Sequence, residues 1–157
     1  MSQLLAFEID NRQFGLPLEM VLRIVQAVEV TQVPDIPETI LGLINIHGSI
    51  TPVLNTRRKF GLPERPLTLT DHFVIATAAD QALALPVDSV QGLVEYSNDQ
   101  LVPLQEELSH GQSPLSILRT ADGMVLVYDP RLALSEDEKS SLATAIQQAY
   151  ALYDQGN

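Results

Sequence analysis

Short apolar stretches, each closed off by glycine, proline, asparagine or aspartate, set the rhythm of this chain. They occupy 4–9, 21–30, 41–46, 50–54, 73–77, 82–87, 116–119 and 124–128. Apolar runs of about four to eight residues between turn formers are of strand length and predict a mainly β protein. Asp10, Asn11 and Arg12 separate 4–9 from 14–18, and Ala121, Asp122 and Gly123 separate the last two runs. Both predict hairpins, because Asp and Asn tolerate turn geometry and Gly supplies positive φ. Adjacent hairpins of short strands predict barrels. A helix interrupts the pattern only at the end. Ser135 and Glu138 are spaced for reciprocal capping, Glu136 and Asp137 suit the positive end of the dipole, and Leu142, Ile146, Ala149 and Tyr153 recur at helical spacing. This predicts a helix over about 135–153 whose apolar stripe docks on the protein's own core.

The chain also repeats itself. Leu16-Pro17-Leu18-Glu19-Met20-Val21 returns as Leu85-Pro86-Val87-Asp88-Ser89-Val90, 69 positions on (16 to 85). The same offset lays Ile24-Val25 over Leu93-Val94 and Val33-Pro34 over Val102-Pro103; after a short insertion Gly48 and Asn55 find counterparts in Gly123 and Asp129. Two copies of one plan, about 14–66 and 67–134, predict two similar small barrels sharing one core, with the final helix bracing them. A solenoid needs about three or more units to bury a continuous core, so two copies predict one domain over 1–157 with neither half stable alone.

Composition narrows the function. At 157 residues, with 45% hydrophobic and 18% charged, the chain can bury a sizeable core without staples. Nine Lys plus Arg against twenty Asp plus Glu leave a net charge of −11, which repels phosphate backbones and anionic lipid surfaces, so no nucleic-acid partner is expected. Arg57-Arg58-Lys59 reads as a solvated helix face. The absence of cysteine excludes disulfides, thiolate metal sites and a cysteine nucleophile. The amino terminus lacks a basic start and apolar stretch, and acids or prolines break every apolar run, which predicts a cytoplasmic protein with no membrane insertion.

Candidate chemistry is sparse. His47, His72 and His110 share no helical or hairpin spacing, so no metal site is expected. His47-Gly48-Ser49 would serve a small hydrolase, yet the glycines that flank a nucleophile elbow are missing and a hairpin turn explains the tripeptide better. Asp88, Asp99, Glu106, Glu107, Asp122 and Asp129 lack the extended apolar setting that splits a carboxylate pair into acid and base. Asp88 and Asp129 read as caps of short turns. With no phosphate loop or dinucleotide fingerprint, no catalytic, cofactor-binding or metal residue is expected and the chain reads as a non-enzymatic interaction module.

Gly42-Leu43-Ile44-Asn45-Ile46-His47-Gly48, continuing through Pro52-Val53-Leu54-Asn55-Thr56-Arg57, resembles the CheW signature: Gly, apolar pair, Asn, apolar, Arg, Gly, then Pro, two apolar residues, Asp, Leu, Arg. The segments 14–18, Val33-Pro34 with Pro37, 85–90 with Gly92, and 117–130 also fall in that family's order. The chain thus resembles the CheW coupling proteins of bacterial chemosensory systems over nearly its whole length. The resemblance implies two five-stranded SH3-like barrels around a joint core, and an adaptor with no cofactor, linking the regulatory domain of a CheA-like histidine kinase to methyl-accepting chemoreceptor tips. In the family the kinase contact uses apolar strand surfaces and the receptor contact a groove near the Asn-x-Arg-Gly turn. Carried over, this nominates Val21, Arg23, Ile24, Asn45, His47 and Gly48. His47 stands in place of the family's Arg and Arg23 in place of a frequent Glu, so an expected ion pair becomes Arg beside His and the bidentate fork is lost. Asn55 replaces Asp and Thr56 replaces Leu. A divergent paralogue from a pilus-motility or phototaxis-type array, binding kinase without the usual receptor coupling, is the alternative these departures leave open.

Overall fold

Each predicted apolar run lies in a strand except 21–30, whose last four residues run past the end of its strand at Gln26, and turn residues between the runs set the hairpin pairing. The structure, a computed structural model, describes residues 1–78, 80–103, 115–121 and 123–155, with side chains through residue 152. Among these are β1 (Ser2–Ile9), β2 (Arg12–Pro17), β3 (Val21–Gln26), β4 (Ile40–Ile46), β5 (Ser49–Leu54), α1 (Thr56–Lys59), β6 (His72–Ala78) and β7 (Gln81–Val87). They are followed by β8 (Ser89–Tyr96), β9 (Leu101–Pro103), β10 (Leu115–Thr120), β11 (Gly123–Tyr128) and α2 (Glu136–Gln155). The β1–β2 hairpin closes at Ile9 and Arg12 around Asp10 (φ 54°) and Asn11 (φ 61°). The β4–β5 hairpin closes at Ile46 and Ser49 around His47 (φ 51°) and Gly48 (φ 88°). Two consecutive left-handed residues are the tight turn whose twist matches that of the flanking strands. In β10–β11 the pairing extends to Thr120 and Gly123, so Gly123 belongs to the strand and is the register equivalent of Ser49, not of Gly48.

The strands form two sheets, ordered β8-β1-β2-β11-β10-β9 and β3-β6-β7-β5-β4. Replacing β3, β6, β7, β5 and β4 by their repeat counterparts β8, β1, β2, β11 and β10 turns the second order into the first. The match holds to the residue. The parallel contact of Val53 with Ala84 between β5 and β7 recurs as Val127 with Gly15 between β11 and β2. The sheets do not coincide with the sequence halves: β1 and β2 join β8 to β11, while β6 and β7 join β3 to β5. Each sheet therefore needs strands from both halves. β8 escaped the apolar-run criterion because its residues alternate between exposed and partly buried, although the 69-residue offset from β3 lands on it.

After β3 the chain returns so that Thr31 exchanges both backbone hydrogen bonds with Leu43 of β4, at 2.8 and 2.9 Å. This joins the two ends of the second sheet and closes the barrel; β9, pairing with β10, plays the same part in the first sheet. Gly42 permits the closure, since an added Cβ would overlap the Thr31 carbonyl oxygen and stand 2.7 Å from Val30 Cγ1. The largest core cluster is common to both sheets and includes Phe7, Phe14, Leu16, Leu54, Leu85 and Tyr128. Phe60, beyond α1, stacks on Phe14 at 4.6 Å and meets Tyr128 edge-on at 4.9 Å. Helix α2 opens on the expected capping box: the Glu138 amide donates to Ser135 Oγ at 3.1 Å and the Ser135 amide to Glu138 Oε1 at 3.0 Å. Leu142 and Ala145 are buried, and Ile146 and Ala149 pack partly buried on the core; the Tyr153 side chain lies outside the described residues.

Gly42→Ala should lower stability by about 1–3 kcal/mol, the usual cost of an overpacked site, because the obstructing atom is backbone. Urea unfolding of the two proteins measures it.

Candidate functional site

The nominated residues fall into two groups on one barrel. Val21, Arg23 and Ile24 lie on β3, the first strand of the second sheet, where Val21 packs partly buried on the shared core. Leu22 is 55% and Ile24 41% exposed, leaving an apolar strip on a strand at the end of a sheet. Asn45, His47 and Gly48 form the β4–β5 tip. Asn45 Oδ1 accepts from the Gly48 amide at 2.7 Å and so fixes the turn, with the His47 side chain exposed. The Thr31–Leu43 closure is what brings the β3 continuation beside β4. Among the described residues neither the Arg23 nor the His47 side chain makes a hydrogen bond or ion pair, and His47 and Ser49 share no bond of the kind an activated serine needs. The repeat exposes a second strip that the nominated set missed: Leu93 on β8, the counterpart of Ile24, is 55% exposed at the end of the other sheet.

A polar cluster at the junction of the barrels corrects two expectations. Arg57 is no solvated face residue: its side chain is only 12% exposed and its Nη2 donates to both Asp88 carboxylate oxygens at 2.8 Å, with Asp10 3.9 Å away. Arg58 does match the expectation, pairing with Glu38 on the surface, where such a bridge is worth little. Asp88 does not cap a turn of its own. It accepts from the Asp10 amide at 2.8 Å, from Arg57 and from Arg65 at 2.7 Å, linking the β1–β2 hairpin, α1 and the segment before β6. Arg65 also grips Asp71 with two bonds, at 2.8 and 3.0 Å, and the Thr68 amide donates to the same carboxylate at 2.9 Å. Burial alone would raise the pKa of Asp71, which is 3% exposed, but Arg65 and Thr68 outweigh it and hold the carboxyl below the usual range. Asp129 caps the 3-10 turn Pro130–Leu132 as expected, accepting from the Arg131 amide at 3.0 Å.

The two substitutions next to Arg57 have local causes. Asn55 Oδ1 accepts from the Arg58 amide, and its Nδ2 donates to Glu64 at 2.6 Å, a bond a carboxylate could not give. Buried Thr56 satisfies its hydroxyl on the Pro86 carbonyl at 2.8 Å. Glu106, Glu107, His110 and Asp122 lie outside the described residues. Among those described, no group of three or more His, Asp or Glu residues is placed to hold a metal ion, and no helix is long and apolar enough to cross a membrane.

The family model of the CheW-like domain matches residues 3–138, ending in the first turn of α2. The chemotaxis protein CheW of Helicobacter pylori is 26% identical over 107 residues, 68% of this chain and 65% of that protein's length. The PilI protein of Pseudomonas aeruginosa is 25% identical over 108 residues, 66% of this chain and 61% of PilI. In fold, the crystal structure of the scaffolding protein TtCheW from Thermoanaerobacter tengcongensis superposes with a TM-score of 0.75 at 23% identity, covering 87% of this chain and 94% of that one.

Asp71, Asp129 and Glu138 all have folded-state pKa values below their ordinary ones. Their stabilisation is complete above the unfolded values and is lost as pH falls through the folded ones, so the urea midpoint should drop between about pH 5 and pH 3. Asp71→Asn should cost about 1–3 kcal/mol at pH 7 by leaving Arg65 and Thr68 poorly paired, and should flatten that acid limb.

Proposed function

Because the chain belongs to the CheW-like domain family, we propose that it is a non-enzymatic cytoplasmic scaffold of a bacterial chemosensory system, coupling a CheA-like histidine kinase to chemoreceptors. One observation carries the reading: a single barrel presents both an end strand with exposed Leu22 and Ile24 and an Asn45-braced turn, at the two places the family resemblance nominates. An end strand offers apolar side chains and unpaired backbone groups to a homologous barrel, which suits the regulatory domain of the kinase and assigns Val21 and Ile24 to that contact. The turn, with Asn45, His47 and Gly48, takes the receptor side.

The receptor side is the weaker one. An imidazole cannot reproduce the two parallel hydrogen bonds of an arginine fork, and Arg23 puts a positive charge where the family often carries a negative one. The similarity to PilI favours a second reading on this point, a paralogue of a pilus-type array that keeps kinase binding and departs from the usual receptor coupling.

Titration calorimetry with the regulatory domain of the kinase encoded beside this protein, with and without a receptor-tip fragment, tests both. Wild type should bind the kinase domain, Ile24→Glu should weaken that binding at least about tenfold, and Arg23→Glu/His47→Arg should strengthen receptor-fragment binding. No kinase binding at high micromolar concentration would sink the scaffold reading. Receptor binding seen only with the double variant would select the paralogue.

A further inference from the structure

Helix α2 touches the β4–β5 hairpin at both of its ends. Near the helix start, Glu138 Oε2 accepts from Thr39 Oγ1 at 2.6 Å, and Thr39 immediately precedes β4. Three turns on, the Tyr150 hydroxyl accepts from the Ile50 amide at 2.8 Å, and Ile50 pairs with Asn45 at the tip. The spans agree: Glu138 to Tyr150 rises roughly 18 Å along a helix, and Thr39 to Asn45 covers roughly 20 Å along a strand. Between the anchors Leu142 and Ala145 are buried. The helix thus runs beside the hairpin in the direction of β4, fastened at base and tip.

We propose that α2 is a splint for this hairpin, with Tyr150, beyond the segment matched by the family model, as a positioning residue that holds the tip bearing Asn45, His47 and Gly48 in its binding geometry. The second half of this inference rests on the receptor-side reading of that tip. Among the described residues, Ile50 carries the only tip amide that the helix secures by a side-chain hydrogen bond, one position beyond the closing pair of the turn. Releasing it frees the tip without disturbing the buried helix face. The equivalent hairpin, β10–β11, has Met124 at the position of Ile50 and serves as an internal reference.

Tyr150→Phe keeps the ring and removes the acceptor. In the full-length protein, amide exchange followed by NMR should quicken at Ile50 and over 47–49 roughly three- to tenfold, the factor expected from one lost hydrogen bond, with Met124 unchanged. Affinity for a receptor-tip fragment should fall while that for the kinase regulatory domain stays the same. Unchanged exchange at Ile50, or an equal rise at Met124, would overturn the splint. Faster exchange at the tip with unaltered receptor binding would overturn its control of the partner site. If wild type binds no receptor fragment, the receptor-side reading fails, and the exchange measurement, which needs no partner, still decides whether Tyr150 positions the tip.

Discussion

Parallel pairing between strands from opposite halves of the chain is the constraint from which the architecture follows. Gly15 lies beside Val127 in one sheet and Ala84 beside Val53 in the other. Each junction joins a strand early in its repeat to the last strand of the other repeat. A small barrel built this way cannot close on its own half, and the side chains behind both junctions meet in one cluster, with Leu16 and Leu85, again repeat counterparts, both fully buried. The pseudo-symmetry is therefore a packing requirement: whatever one half lends, it must receive in the same register.

Charge is used asymmetrically on this symmetric frame. Arg57 and Arg131 occupy equivalent places after β5 and β11, yet Arg57 reaches across to Asp88 while Arg131 turns back on Asp129. Among the described residues, the inter-barrel ion pairing that draws in Asp10, Arg65 and Asp71 is thus formed on one side only. A chain carrying −11 has few cations to spend, and two of them shield the carboxylates gathered where the barrels join. Partly buried and multiply hydrogen-bonded, these pairs are screened less by salt than surface bridges such as Arg58–Glu38. The two barrels, and hence the strip on β3 and the tip of β4–β5, are held by this cluster as well as by the core.

The surface left over suits a scaffold. Ile24 and Leu93 repeat the same exposed apolar position on the end strands β3 and β8, so the molecule offers two related faces. The internal repeat thus exposes one apolar plan twice. The substitutions that set this chain apart from the family pattern sort by depth. Asn55 and Thr56 are buried and each has found its own hydrogen-bond partner, whereas Arg23 and His47 are exposed and make no such bond among the described residues. The first pair is absorbed by the fold; the second changes only the exposed surface.

What the amino-acid sequence determined by itself was local or repeated. Turn chemistry at Asp10-Asn11 and His47-Gly48, the Ser135–Glu138 box, the apolar runs that became strands and the 69-residue echo rest on residues within a few positions or on direct comparison of the chain with itself. The family signature likewise marked the β4–β5 tip before any contact was known. Tertiary structure alone decided which half supplies which sheet, that Arg57 serves Asp88 and not solvent, that Gly42 makes room for Thr31, and that Tyr150 caps Ile50. Those partners stand 11, 31 and 100 positions apart. No propensity or spacing rule spans such distances: the free energy of these contacts exists only once both barrels have closed and brought the groups together.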